Sequence, residues 1–494
     1  MKKIIIVGAG IAGLSAGIYA RQSGFDVTIY ESHSIPGGAS TSWRRKGYYF
    51  EGGLHWLTGS SPKTQLNKLW REVGALDDSV KIHNRDPFFN YETDGKRAGL
   101  YRDIDTLKQH LTELSPVDKQ EIDRLCSDVK KFTRVQMPAM NLPNLKAKYP
   151  AKLPLSMLFA MMPAMPRMKY YQNMSARELA ERFQSKQIQN LLLNMIGEDY
   201  AASGVLFTIA TLAAGDGGYP EGGSLAMAGR MARNFESLGG VIQYRRHVDQ
   251  VLVEGGIAKG VLVSGERVEA DAVIVTRDTL SAIDTLFAEP IHEPWAEKMR
   301  AETNPMMDVF VGIGVEADCS DLPESCTFPT KEPIRIGDLS YTSLGYNNYA
   351  GVDGYAPKGC TALTTALIGD SYDFWKDCVK NGTYEAEKQK VADAVIRELV
   401  QKYPKLEGTV AVWDVATPLT YERYLGSYKG SWMTLMTKRK GNVSYSGKPQ
   451  SIQNLYFAGQ RLMSPGGLPV ALTSGRTAVQ YLCLDTDTVF QGNF

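Results

Sequence analysis

Gly8-Ala9-Gly10-Ile11-Ala12-Gly13 sets three glycines at the spacing GxGxxG, between a β-branched run from Ile4 to Val7 and a helical pattern over residues 14–21. In that setting the first two glycines allow a tight turn and a close backbone approach to a pyrophosphate at a helix N-terminus. Gly13 allows the helix to pack closely on the strand. Eighteen residues past Gly13, Glu31 closes a second short run, Val27-Thr28-Ile29-Tyr30. A carboxylate at this point accepts hydrogen bonds from ribose hydroxyls and repels a 2′-phosphate, which disfavours NADP as the occupant. A second glycine pair, Gly37-Gly38, comes six residues later and lets the chain pass close to the same ligand, as a flavin nucleotide with its extended ribityl chain requires.

The elements that must position these residues can be read around them. Two strands joined by a helix pair in parallel, so the N-terminus is a βαβ unit. A length of 494 residues implies two or three packed modules. Residues 103–131 are polar and helical in pattern, and prolines at 143, 150, 154, 163 and 166 rule out one long helix beyond them. Short apolar runs at 241–244, 248–254, 261–263 and 272–275 suit a meander that returns to a sheet. Strands at 309–315 and 361–368 with a helix over 385–402 read as a second module, and a strand at 455–458, a Gly/Pro loop and an apolar helix over 470–482 end the chain. Gly312-Ile313-Gly314 lies inside an apolar run and lacks a third glycine, so a separate nicotinamide-binding unit is not expected.

Composition narrows the function. Lys+Arg 55 against Asp+Glu 54 gives a net charge of +1, which offers no footprint for nucleic acid. Six scattered cysteines without a CxxC pair imply neither a disulfide scaffold nor a zinc site, and no metal is expected. The N-terminal apolar run stops at Gly8, too short for a signal peptide, so a cytoplasmic location is expected. One charge asymmetry stands out. Residues 129–177 hold nine cations (Lys130, Lys131, Arg134, Lys146, Lys148, Lys152, Arg167, Lys169 and Arg177) and no acidic residue. Within this span residues 153–166 carry no charge and form an apolar stretch too short to span a bilayer, and eight of the 18 methionines fall from 137 to 174. Met-rich apolar residues flanked by cations suit either the core of a helical subdomain or a peripheral contact on the inner face of a membrane.

Three stretches resemble one superfamily: residues 4–59, ending GGASTSWRRKGYYFEGGLHWLTG; residues 417–426, TPLTYERYLG; and residues 454–477, NLYFAGQRLMSPGGLPVALTSGRT. The chain resembles the FAD-dependent amine oxidases and phytoene desaturases, and within them the carotenoid isomerase, bacterial phytoene desaturase and retinol saturase branch. The resemblance implies an α/β fold: a Rossmann-type, glutathione reductase-like FAD-binding domain made of residues 1–75, 216–285 and 446–494. It carries a helical, membrane-facing segment at 76–215 and an α+β substrate domain at 286–445.

By position, the resemblance places Gly8, Gly10 and Gly13 at the pyrophosphate, Glu31 at the adenosine ribose and Gly37-Gly38 on the ribityl side. It places Val248 toward the adenine, Gly459 and Gln460 at the closing strand end, and Gly467, Leu468 and Pro469 near the isoalloxazine. Ala39, where many relatives carry Arg, and Gln460, where an acid is frequent, depart from the pattern. Three residues are candidates for proton handling. His55 is either a core histidine beside Trp56 or a proton carrier. Glu198 is either a buried base or a helix cap. Tyr421 lines either a substrate tunnel or a domain interface. The implied activity is desaturation, saturation or cis-trans isomerisation of carbon-carbon double bonds in an apolar lipid or polyene, with FAD as cofactor and NAD(P)H as an external reductant. The rivals are a flavin amine oxidase and a non-catalytic prenyl-lipid carrier of the GDP dissociation inhibitor type.

Overall fold

The structure is a computed structural model that describes residues 1–149, 155–439 and 443–493. Strand β1 (Lys3–Val7) leads into helix α1 (Ile11–Gln22) and strand β2 (Asp26–Tyr30). Strands β3 (Val241–Gln243), β4 (Ala272–Val275) and β5 (Leu455–Phe457) complete a parallel sheet in the order β5-β4-β1-β2-β3. Ile5 aligns with Thr28 on one side and Val273 on the other. A sheet covered on both faces needs apolar residues on both sides of each central strand, which is why β1 and β4 read as unbroken runs.

Helix α1 is buried from Ile11 to Ala20 because it lies between two other helices as well as the sheet. Against α2 (Leu468–Asp485), a Cβ on Gly475 would stand 2.4 Å from the Ala12 carbonyl oxygen. Against the helix Gly223–Ser237, a Cβ on Gly17 would stand 2.9 Å from the Phe235 ring. Small residues thus bring three helices together over one face of the sheet. On the other face lies an antiparallel meander of Val248–Glu254, Ile257–Val263 and Glu266–Glu269, whose Val248, Val251 and Val261 share a core with Ile5, Val7, Val273 and Val275.

A second sheet has seven strands in the order Val410–Ala416, Asp308–Val315, Thr361–Ile368, Leu339–Asn348, Ser325–Ile336, Phe89–Thr93 and Lys96–Leu100. Val309, Val311, Ile313 and Val315 pack on the helix Tyr384–Lys402 through Val391, Ala392 and Val395. On the opposite face, Cβ atoms at Gly312 and Gly314 would lie 2.6 and 2.5 Å from the rings of Phe50 and Tyr48. Those two glycines are seats for aromatic rings, which is the tertiary reason for a Gly-Ile-Gly run inside a strand.

The segment 76–215 is not all helical. Its strands Phe89–Thr93 and Lys96–Leu100 extend the second sheet, with Asn90 paired to Cys326, so the boundary expected at residue 286 does not enclose that module. Pairing with a strand some 235 residues away leaves no local signal. The remainder forms a helical core of Ile104–Leu114, Lys119–Phe132, Lys186–Ile196 and Ala202–Ala213. Helix Leu155–Met161 stands apart and buries none of its residues: Leu155 is 71% exposed and Phe159 66%. Met162 and Met165 beside it are also exposed, whereas Met168 and Met174 pack on the helical core. Pro150, Lys152 and Pro154 lie outside the described residues. Among the described residues no helix is long and apolar enough to cross a membrane.

The cationic run is less one-sided in space than along the chain. Lys131 and Arg167 pair with Asp128, Lys146 with Asp487 and Arg177 with Glu198.

Candidate active site

The carboxyl ends of β1, β2, β4 and β5 meet at one edge of the parallel sheet, and the strand order reverses between β1 and β4, the switch point where open α/β sheets bind ligands. Gly8 leaves β1 with φ +104, and Thr276, leaving β4, donates its hydroxyl to the Val7 and Gly8 carbonyls at 2.8 and 3.0 Å. A Cβ on Gly13 would stand 1.9 Å from the Gly8 carbonyl oxygen, so only glycine closes this turn. Helix α1 starts at Gly10 with no side-chain cap, which leaves its first-turn N–H groups pointing out of the edge. Gly10 also bridges to Gly37, whose N–H donates to the Ala9 carbonyl at 2.9 Å.

Glu31 is buried at the end of β2. Its carboxylate accepts from the N–H groups of Ala9 at 2.7 Å and His33 at 2.8 Å, and its backbone bonds to Gln243 and Arg246 hold the following chain alongside. Val248, two residues on, is buried with Val7 and Val275 and against Tyr30.

On the other side of the switch point, Ala458-Gly459 leads to α2, which starts at Gly467 with no side-chain cap and with Pro469 in its first turn. The Gly459 N–H donates to Ser474 on α2 at 2.9 Å. The Gln460 side chain spans the loop, donating to the Trp432 carbonyl and accepting from the Gly467 N–H at 3.2 Å. Beneath it the Arg461 guanidinium is sealed against Asp278, with Nε and Nη2 at 3.0 and 2.6 Å from Oδ2, and against Ser431. Two uncapped helix starts, α1 and α2, therefore open beside each other on one glycine-lined edge. The arrangement suits an anionic dinucleotide.

The family of flavin-containing amine oxidoreductases matches residues 11–483. The chain belongs to that family. It is a flavin-dependent oxidoreductase, and its cofactor is FAD. It is 24% identical to the chloroplastic prolycopene isomerase of Daucus carota over 95% of this chain and 78% of that protein. It is 23% identical to the all-trans-retinol 13,14-reductase of Danio rerio over 95% of this chain and 85% of that protein. Among solved structures, a wild-type putrescine oxidase bound to putrescine superposes with a TM-score of 0.62 at 18% identity, covering 98% of this chain and 99% of that one. That likeness concerns the fold.

The residues at the edge fit the flavin family's cofactor. At Gly459, with φ +147, a Cβ would meet only the Thr276 carbonyl oxygen at 3.9 Å and Thr279 Oγ1 at 4.0 Å, so the backbone there is lightly packed. Glu31 retains carboxylate lone pairs beyond its two backbone bonds. The uncapped N–H groups of α1 and α2 have a negative partner to find.

The three residues expected to handle protons enter separate contacts. His55 is neutral in the fold: burial and the charge of Arg85 push its imidazole down to about 4, and its Nδ1 is buried without a hydrogen-bond partner. Tyr421, on the helix Pro418–Leu425, faces the carboxyl group of Asp308. Glu198 is neither a buried base nor a cap. It is exposed and pairs with Arg177, and the helix after it, Ala202–Ala213, has Ala201 at its N-cap and no side-chain cap. The reason is tertiary: its backbone carbonyl accepts from the Arg177 N–H at 3.0 Å, which holds the loop with its carboxylate outward.

Two acids were not singled out by sequence reasoning. Glu51 is fully buried and accepts from the N–H groups of Gly53, Leu54 and Ser224 and from the hydroxyls of Tyr219 and Ser42. It fixes the Gly52-Gly53 turn against the helix Gly223–Ser237. A charged residue closing the run Tyr48-Tyr49-Phe50 was the available signal. Asp308 opens an otherwise apolar strand, a similar signal.

Proposed function

We propose that this flavin oxidoreductase acts on carbon-carbon double bonds of a long apolar lipid or polyene, by saturation, desaturation or cis-trans isomerisation. The observation that carries the reading is near-full-length similarity to enzymes named for polyene substrates, prolycopene and retinol. The cofactor-binding residues are Gly8, Gly10 and Gly13 at the pyrophosphate, Glu31 at the ribose and Gly37-Gly38 along the ribityl side. Val248 lies toward the adenine, and Gly459, Gln460, Gly467, Leu468 and Pro469 toward the flavin ring. Residues 1–75, 216–285 and 446–494 make up the cofactor unit, and residues 286–445, with strands 89–100, form the substrate unit.

Bound FAD supplies two-electron hydride exchange, and NAD(P)H is the external reductant. The chain's own task is to exclude water, hold the apolar substrate and manage the accompanying proton. Helix Leu155–Met161, with its exposed Leu155 and Phe159 and the nearby cations, gives peripheral contact with a membrane in which the substrate is dissolved. On this reading the protein is cytoplasmic and peripheral on the inner face of the membrane.

The test is chromatography of polyenes recovered from anionic vesicles after incubation with FAD-loaded protein and NADH or NADPH without oxygen. A product altered in double-bond number or geometry, absent with boiled protein, is expected. Unchanged polyenes alongside deamination of an aliphatic amine would overturn the reading.

A further inference from the structure

One buried carboxyl group is left without a task by the cofactor site. Asp308 is 5% exposed, and its Oδ1 is enclosed with no hydrogen-bond partner. From the helix Pro418–Leu425 the Tyr421 hydroxyl faces it, and from the loop before Met433 the indole N–H of Trp432 faces it. That indole Nε1 is itself buried and makes no hydrogen bond of good geometry, so a donor and an acceptor are held near each other unsatisfied. From the strand Leu339–Asn348 the group within electrostatic reach is the Tyr341 phenol, and from Thr361–Ile368 the residue opposite is apolar Ile368. Among the described residues no cation acts on the carboxyl group. Burial pushes it up to about 7, with Tyr421 and Trp432 holding it lower than burial alone would.

An unpaired buried acid is costly, and persists where its protonation is used. Its place in the fold supplies the use. Pro305–Met306, just before Asp308, pairs with Met433–Thr434, and the Trp432 N–H donates to the Met306 carbonyl at 2.9 Å. The Trp432 carbonyl takes the Gln460 side chain, and the Thr434 N–H donates to the Pro465 carbonyl at 3.2 Å. The start of the strand is thus tied to the closing segment 459–467 beside α2. Tyr421 and Leu468 both pack on the apolar cluster that contains Phe310, two residues from Asp308.

We propose that Tyr421 and Asp308 form the proton-exchange pair of this site, with Tyr421 meeting the substrate and Asp308 as the reservoir behind it. The proposal rests on the reading of the enzyme as acting on carbon-carbon double bonds. In saturation, bound reduced flavin would supply a hydride, and with it both electrons, to one carbon of the double bond. The other carbon takes the proton of Tyr421 as its O–H bond breaks. The Asp308 O–H bond breaks in turn and its proton restores the Tyr421 hydroxyl, leaving a carboxylate that is reprotonated from solvent. Desaturation runs the same transfers in reverse.

The experiment compares FAD-loaded wild type with Asp308→Asn, Asp308→Glu and Tyr421→Phe, using retained flavin absorbance to verify folding. The first readout needs no substrate: an infrared pH titration in which the wild type loses a protonated-carboxyl band as the pH rises through about 7, a change missing in Asp308→Asn. The second is the pH profile of the reaction with a vesicle-borne polyene. Asp308→Asn and Tyr421→Phe are expected to lose about 10²- to 10⁴-fold in rate, as for loss of a general acid or base. Asp308→Glu should restore rate with a displaced pH midpoint. A carboxyl band unaltered by Asp308→Asn, or a wild-type rate and profile in that variant, overturns the pair. A titrating Asp308 band with no polyene turnover in the wild type overturns the substrate reading and leaves the acid assigned. If Asp308→Asn fails to bind FAD, Asp308→Glu decides by whether the band and the midpoint move together.

Discussion

Removing the Asp278 carboxylate tests how the closing segment is held. Arg461 and Asp278 side chains are 1% and 6% exposed, so the pair is cut off from water. The guanidinium also donates to the Met433 carbonyl at 3.1 Å and to Thr434 Oγ1 at 3.2 Å, which knits residues 431–434 to the loop carrying Gln460. Asp278 has a second duty, accepting from the Ser281 N–H at 3.1 Å as N-cap of the helix Thr279–Thr285. Asp278→Ala leaves a buried cation unpaired, worth about 3–5 kcal/mol, and removes a cap worth about 1 kcal/mol. The expected loss is therefore about 4–6 kcal/mol. Asp278→Asn keeps the cap and a neutral acceptor and should lose about half of that. The double variant Asp278→Met with Arg461→Met should lose less than Asp278→Ala, because no charge stays buried. Urea unfolding followed by tryptophan fluorescence, on FAD-loaded and FAD-stripped protein, measures all four. A loss below about 1 kcal/mol for Asp278→Ala, or a double variant worse than the single, would refute the reasoning.

Gly13→Ala drives a methyl group into the Gly8 carbonyl and the Thr276 hydroxyl, 1.9 and 2.9 Å from the Cβ position, and is expected to abolish retention of FAD through gel filtration while the purified protein stays folded by circular dichroism. His55 contributes stability that is complete above the ordinary histidine value near 6.5 and is lost as pH falls toward about 4, because the unfolded chain takes up the proton first. The loss amounts to at most about 3 kcal/mol, and urea midpoints for His55→Gln should vary less between pH 7 and pH 4 than those of the wild type. Leu155→Glu with Phe159→Glu removes two exposed apolar side chains, each worth about 1.5–3 kcal/mol if buried in lipid. Sedimentation with anionic vesicles should then fall by at least about tenfold, with FAD content unchanged.

The cofactor edge was legible because its determinants are local. The GxGxxG turn, Glu31 and the glycine pair lie within one βαβ unit, where spacing along the chain is spacing in space. The second sheet was half legible: its long apolar strands declare themselves, whereas Phe89–Thr93 depends on a partner strand that begins at Ser325. Glu198 was misread for a related reason. A Gly-Glu-Asp run looks like a cap, and only the pairing of residues 175–177 with 198–201 turns it to the surface. Asp308 at the head of an apolar strand left a trace, whereas Arg461 was silent because a buried charge is recognisable only once its surroundings are assembled. The same holds for the cationic run, whose opposing acids Asp128, Asp487 and Glu198 lie outside it in sequence.

The most direct test of the central claim is an anaerobic mixture of FAD-loaded protein, in its oxidised and its reduced form, with a vesicle-borne polyene and separately with an aliphatic amine. The polyene is expected to change the flavin absorbance in one redox form, or to be isomerised by the reduced form, and the amine to leave the oxidised flavin unbleached. Recovery of the polyene unchanged from both forms, with bleaching by the amine, would contradict it.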